Sequence, residues 1–256
     1  MDIIVCLKQT FDTETVIWLN EKGEINDKDV KLIINPYDEF ALEEALRVKE
    51  KLGGEVTVVS LGGVRTQEAL RAALALGADK AMLINCENLT ELDEMMAAKI
   101  LARAINALPF DMIFTGRMAI DSGGAQMAMR LAEEFDLPAV SGITKIELEG
   151  RTAVVQHETD EGLETVEVLL PAVFSAQKGL NEPRYPVMAG ILKAKKKPLD
   201  IIAAEELAAG LPLQSGMKVR GYVAPESRLP GRVLNGSAAE MTAELVRLLR
   251  EEAKVV

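Results

Sequence analysis

Ser122, Gly123 and Gly124 stand directly ahead of a stretch that reads as a helix ending before Pro138. Backbone N–H groups at such a strand-to-helix turn are free, and together with the helix dipole they attract a phosphate. A glycine pair serves a tight turn equally well, and the run lacks both the Gly-Lys-Ser/Thr ending of a Walker loop and the dinucleotide spacing. Asp38, Glu39 and Asp121 could hold ribose hydroxyls, although acids near helix starts also complement the dipole with no ligand present. No catalytic constellation emerges. Every nucleophile–imidazole triad needs a histidine, and the single one, His157, alternates into a predicted strand and reads as a surface side chain. Cys6, at the end of a buried strand, reads as a small core residue. With Cys86 it makes neither a disulfide framework nor a zinc site. These residues describe a chain that binds, without acid/base machinery.

In an open parallel sheet, ligands bind beyond the carboxyl ends of the strands. Four segments fall there: 6–13, 35–38, 61–64 and 116–127. The elements that must position them come from an alternation of short apolar runs with amphipathic stretches, the pattern of a parallel sheet wrapped by helices. DIIVCLK (2–8) reads as the first strand and VIWL (16–19) as an additional short strand or hairpin. A helix starts near Pro36 with Tyr37, Ala41, Ala45, Val48 and Leu52 on one face, and Gly53 and Gly54 stop it. EVTVVSL (55–61) is a buried strand, 66–76 a helix stopped by Gly77, AMLIN (81–85) a strand, and Thr90 caps a helix to about Asn106. DMIFTG (111–116) is the next strand.

Near residue 140 the rhythm changes. GITKIELEG, RTAVVQHET and GLETVEVLLPAVFSA read as successive strands with turns at Glu149-Gly150 and Asp160-Glu161-Gly162, an antiparallel set extending the parallel sheet. Residues 185–236 have too few regular apolar positions for a core of their own and read as an arm that lies on another chain. Ser237 caps a last helix over 237–254. The segment LNEPRYPVMAGILKAKKKPLD (180–200) stands apart: Pro183, Pro186 and Gly190 keep its first half from being a stable helix, while Lys193, Lys195, Lys196 and Lys197 cluster behind it.

With 29 basic against 40 acidic residues and a net charge of −11, broad nucleic-acid binding is disfavoured, because it needs cationic surface to release phosphate counterions. A local basic docking spot stays compatible with that charge. MDIIVCLKQ lacks the basic region and long apolar core of a signal peptide, and no apolar run reaches the roughly 20 residues that span a bilayer. The expectation is a metal-free cytoplasmic chain.

Taken together, INPYDEFALEEALRVKEK (34–51), VVSLGG with TQEALRAALALGADKA, FTGRMAIDSGGAQ (114–126), VVQHETDEGLETVEVLLPAVFSA (154–176) and LNEPRYPVMAGILKAKKK (180–197) resemble the β subunit of electron transfer flavoprotein over nearly the whole chain. The resemblance implies an electron carrier rather than an enzyme: a Rossmann-like, adenine-nucleotide α-hydrolase-like α/β fold with antiparallel edge strands. It implies a nucleotide-binding domain over 1–184, and a recognition loop and C-terminal arm over 185–256 packing on a partner. That partner is an α subunit carrying most of the FAD. Electrons come from flavin dehydrogenases such as acyl-CoA dehydrogenases and pass to a membrane quinone reductase; the alternative is a bifurcating form using NADH. The chain itself would hold AMP, or a second FAD in the bifurcating form. The nucleotide would lie against Cys6, Asn35, Pro36, Tyr37, Asp38 and Leu61, and along Gly116, Arg117, Met118, Ala119, Ile120, Asp121, Ser122, Gly123, Gly124, Ala125, Gln126 and Met127.

Tyr37 corresponds to an aromatic position near the partner's flavin, and Thr13 stands where plain carriers often have tyrosine. Pro183, Arg184, Tyr185, Met188, Ile191, Lys193 and Lys196 correspond to the loop that docks on the dehydrogenase, with Met188 at the position of an apolar anchor, and Glu158 to an acid that pairs with an arginine of the α subunit. The prolines lower the entropy lost on docking, and the lysines steer toward an acidic partner. Gly124 and Ala128 depart from the bifurcating pattern, and His157 replaces a usual Lys or Arg, which leaves AMP and a second FAD both open.

Overall fold

The run DIIVC shows why the sheet forms. Ile3, Ile4 and Val5 are all buried, which a strand achieves only when both of its faces are covered. A computed structural model describes the chain except for residues 28–29, 90–91, 212–214 and 227–229. In chain order its elements are β1 (Asp2–Cys6), β2 (Gln9–Phe11), β3 (Leu32–Ile34), α1 (Pro36–Leu52), β4 (Glu55–Gly62), α2 (Gln67–Leu76), β5 (Lys80–Asn85), α3 (Glu94–Ile105), β6 (Met112–Gly116) and α4 (Met127–Phe135). Then come β7 (Ala139–Glu149), β8 (Thr152–Thr159), β9 (Gly162–Leu169), β10 (Ala172–Ala176), α5 (Met188–Ala194), β11 (Leu199–Ala203), α6 (Ala204–Ala208) and α7 (Ala238–Glu251).

Nine strands form one sheet in the order β11-β5-β4-β1-β6-β10-β7-β8-β9. It is parallel from β11 through β7, and β8 and β9 close the far edge as an antiparallel meander. Alternate residues feed two cores. Ile3 and Val5 pack with Leu42 and Leu46 of α1 and Leu70 and Leu74 of α2, while Ile4 and Cys6 pack with Ile100 and Leu101 of α3 and Leu131 of α4. Because β4 lies on one side of β1 and β6 on the other, the chain reverses its winding beside β1, and a crevice opens at the carboxyl ends there.

Several expectations change. The residues 16–19 form no strand; Leu19 makes one isolated bridge to Ile25, and Val16, Ile17 and Trp18 are exposed because no sheet neighbour covers them. A separate antiparallel pair, β2 with β3, was not expected. GLETVEVLLPAVFSA is two strands: β9 ends at Leu169, and after Pro171 β10 enters the middle of the sheet between β6 and β7, parallel to both. Its five residues are all buried, so two-sided burial rather than alternation marks it. The Thr90 cap lies outside the described residues; α3 is capped by Asp93, whose side chain accepts from Met96 N.

Within the expected arm, β11 pairs with β5 as the parallel edge of the main sheet and Ala204 is fully buried. That strand is short and its outer side is open, so it carries little apolar signal. Gly190 sits inside α5 rather than before it: a Cβ there would lie 2.4 Å from Ala75 O, so the glycine lets α5 approach α2.

The chain divides into two compact units, Met1–Ile17 with Asn26–Gly221, and Trp18–Ile25 with Tyr222–Val256. In the second, α7 begins with the Ser237 cap that the sequence predicts, completed by Glu240 as a capping box, and none of its residues is buried.

Candidate functional site

The crevice is a cavity of about 790 Å³ inside the first unit, within the range that holds a small molecule or cofactor. Its floor is the end of β1 with the two residues after it (Cys6, Leu7, Lys8), and the ends of β4 (Val59, Leu61) and of β6 (Thr115, Gly116). One wall is the start of α3, with Asp93, Glu94, Met95 and Leu101; the other is the loop from Arg117 to the start of α4.

Two side chains fold this loop. Asp38, 5% exposed, accepts from Lys8 N at 2.6 Å, Gly116 N at 2.9 Å and Asn35 Nδ2 at 3.0 Å. Asn35 in turn donates to Met118 O at 2.9 Å and accepts from Ile120 N at 3.2 Å. The start of α1, the ends of β1 and β6 and the loop after β6 are thus joined through one buried pair. Lys8 also closes on the loop, its Nζ 2.8 Å from Asp121. Ala125 adopts φ +50, and the first N–H groups of α4, beginning at Met127, have no carbonyl one turn back to meet. Arg130 is fixed by its bonds to Gln126 Oε1 at 3.0 and 2.6 Å.

Burial is the largest influence on Asp38 and lifts its carboxyl to about 7, against the Lys8, Asn35 and Gly116 donors that favour the ionised form. The folded value exceeds the unfolded one, so the folded chain holds the extra proton. This contribution to stability is complete below about pH 4 and fades as pH rises through about 7. Urea unfolding of the wild type and of Asp38→Asn at pH 5 and pH 8 is expected to show a flatter dependence in the variant, by on the order of 1–3 kcal/mol. Equal slopes would mean that Asp38 ionises as an ordinary carboxyl does. Burial first, then Asp38, pushes the Cys6 thiol up to about 12, so Cys6 stays protonated and contributes packing rather than nucleophilic chemistry.

Of the residues expected at a nucleotide, the cavity is lined by Cys6, Asn35, Asp38, Leu61, Gly116, Arg117, Met118, Ala119, Ser122, Gly124, Ala125, Gln126 and Met127; Pro36, Tyr37, Ile120, Asp121 and Gly123 are absent from its lining. Asp38 is engaged inside the protein, Asp121 is paired with Lys8 at the surface, and Glu39 is half-buried away from this lining. Sequence reasoning missed Lys8, Cys86, Asp93, Glu94, Met95 and Met217, all of which line it. Lys8 lay within a flagged strand-end segment, whereas the start of α3 was displaced by placing its cap at Thr90.

The segment 181–197 is fixed at both ends. Asn181 donates to Phe40 O and to Glu44, both at 2.9 Å, and Arg184 pairs with Glu43 at 2.8 Å and with Glu50 at 2.5 Å. Arg71 bonds Ala194 O and Lys197 O, each at 2.8 Å, and Lys197 turns inward to Leu74 O and Ala78 O at the end of α2. Lys197 is thus a helix-end cap rather than a free cation. Between these anchors Tyr185 (91% exposed), Val187, Met188 (72%) and Leu192 face outward, with Lys193, Lys195 and Lys196 exposed behind them. His157, 3.2 Å from Glu164, is half-buried on β8, and Glu158 beside it is exposed opposite Leu163.

A mostly parallel sheet with helices on both faces and a cleft at its switch point defines the class: a Rossmann-like α/β protein. The family model described as "Electron transfer flavoprotein domain" matches residues 22–207. The chain is 43% identical over 258 residues, covering both chains fully, to the electron transfer flavoprotein subunit beta of Bacillus subtilis. It is 34% identical to that of Mus musculus over 98% of each chain. It is also 33% identical, over 98% of this chain and 99% of the other, to the caffeyl-CoA reductase-Etf complex subunit CarD of Acetobacterium woodii. This chain belongs to the electron transfer flavoprotein β subunit family, whose members are electron transfer proteins that pair with an α subunit.

Proposed function

We propose that the chain is the β subunit of a heterodimeric electron carrier that holds an adenine nucleotide in the cleft and docks a flavin dehydrogenase through residues 183–196. The donor set fits a nucleotide. Leu61, Cys6, Val59 and Leu101 offer an apolar wall for a base, and the free N–H groups at the start of α4, with Arg117, Arg130 and Lys8 lining the same cavity, suit a phosphate. The nucleotide supplies no redox chemistry as AMP and a flavin as FAD; the chain's own residues fix its place. The electron-transferring FAD is carried mainly by the α subunit. The exposed surface of α7, with Trp18, Tyr222 and Val223 in the same unit, is read as one ground for that subunit, and Glu158 of the first unit as a separate contact with it.

The observation that carries this reading is the outward row Tyr185, Val187, Met188 and Leu192 on a base anchored at both ends. Apolar side chains on an ordered segment serve a partner. Acyl-CoA dehydrogenases are the proposed donors and a membrane quinone reductase the acceptor; among the described residues no helix is long and apolar enough to cross a membrane. The test is the native complex itself. Spectra and nucleotide extraction are expected to show one flavin and one AMP per heterodimer. Two flavins and no AMP would replace simple carriage by bifurcation, and a colourless complex would end both readings.

A further inference from the structure

If the cleft holds a nucleotide, some group must receive its ribose. The carboxylates among the described lining residues are Asp38, Asp93 and Glu94. Asp38 is buried and already accepts from three internal donors, and Asp93 accepts from Met96 N at 2.8 Å, Gly216 N at 2.7 Å and Ser215 Oγ at 3.3 Å. Glu94 differs: its Oε2 is buried and has no hydrogen-bond partner among the described residues. Its carboxylate lies against the phosphate-suited loop, so close to Gly124 that a Cβ on that glycine would meet Oε1 at 1.5 Å. A position in the first turn of α3 accounts for a negative charge, but not for a carboxylate at the cavity lining with a buried oxygen left unpaired.

A buried acceptor needs a donor. The phosphate of a nucleotide offers none at neutral pH, while the ribose offers two hydroxyls one short linkage from that phosphate, and the amine of adenine lies at the far end of the molecule. We infer that Glu94 is the ribose-binding residue of this cleft, accepting hydrogen bonds from the vicinal hydroxyls of an adenine nucleotide whose phosphate sits at the start of α4. Lys8, Arg117 and Arg130, lining the same cavity, offset the neighbouring negative charges. The assignment rests on the proposed nucleotide reading and moves the ribose contact away from Asp38, Glu39 and Asp121.

The test titrates the full chain, freed of bound nucleotide and checked by absorbance, with AMP, 2′,3′-dideoxy-AMP and IMP in a calorimeter. The wild type is expected to bind AMP about tenfold or more tightly than dideoxy-AMP. Glu94→Gln is expected to erase that gap by weakening AMP alone, leaving dideoxy-AMP and the AMP-to-IMP ratio unchanged, and Glu94→Asp to restore part of it. Equal loss for both nucleotides, an unchanged gap, tighter AMP binding, or a gap that moves to AMP against IMP overturns the assignment. A wild type that binds neither AMP nor dideoxy-AMP instead overturns the nucleotide reading beneath it.

Discussion

Gly116→Ala is expected to lower the unfolding free energy by about 2–4 kcal/mol and to strip the nucleotide from the cleft. A Cβ at this position would lie 2.2 Å from Asp38 Oδ1, 2.7 Å from Tyr37 Cβ and 2.8 Å from the Tyr37 carbonyl carbon. Two of those three atoms cannot rotate away, because they belong to the backbone or first side-chain atom of α1. Relief therefore requires the first turn of α1 to move, and with it the Asp38 and Asn35 bonds that hold Lys8, Met118 and Ile120. Gly123→Ala is the control. Gly123 has φ +64 with nothing within 4 Å of its absent Cβ, so only the left-handed backbone penalty of about 1–2 kcal/mol applies. Urea unfolding and nucleotide extraction measure both effects, and matched midpoints in the two variants would show that close packing at β6 does not organise the cleft.

Much of this architecture was legible because two-sided burial leaves continuous apolar runs: DIIVC, VTVVS and MIFTG read as covered parallel strands between amphipathic helices. The strand-end segments followed from that topology before any side chain was placed. What escaped had weaker local signals. β10 was fused to β9 because the apolar end of β9 runs through Leu170 and one proline into AVFSA, and only the tertiary position of β10 between β6 and β7 divides them. β11 was lost because its sheet edge is half open. In the cleft, Asp38, which reads as a ligand acid by sequence, lines the cavity with its carboxylate met by internal donors, whereas Glu94 sits at a helix start that a cap read at Thr90 displaced. Lys197, read with its neighbours as one cationic run, is separated from them by a bond to the end of α2 that no spacing rule reveals. The helix α7 was plain throughout, since a capping box with apolar periodicity is a wholly local statement.

The second large effect concerns the exposed row. Met188→Glu is expected to slow reduction of the carrier by its dehydrogenase at least about tenfold at limiting dehydrogenase, with the unfolding midpoint and nucleotide content unchanged. Met188 opens α5 and is 72% exposed, so its side chain contributes nothing to the core that its loss could disturb. Its position is nonetheless set: Gly190 seats α5 on Ala75, Arg71 holds the far end at Ala194, and Arg184 holds the near end on Glu43 and Glu50. A charge at the tip of this fixed row must be desolvated without a partner when an apolar pocket closes over it, which raises the dissociation constant rather than slowing the electron step. The loss should therefore appear at low dehydrogenase concentration and recover at saturation. Lys193→Glu with Lys196→Glu is expected to act differently, lowering the association rate and its salt dependence, because exposed cations steer at a distance rather than fill a pocket. Identical reduction kinetics for Met188→Glu and wild type across the whole concentration range would remove this row from the docking surface. The anchored ends of 181–197 would then have to serve the α subunit or the fold itself.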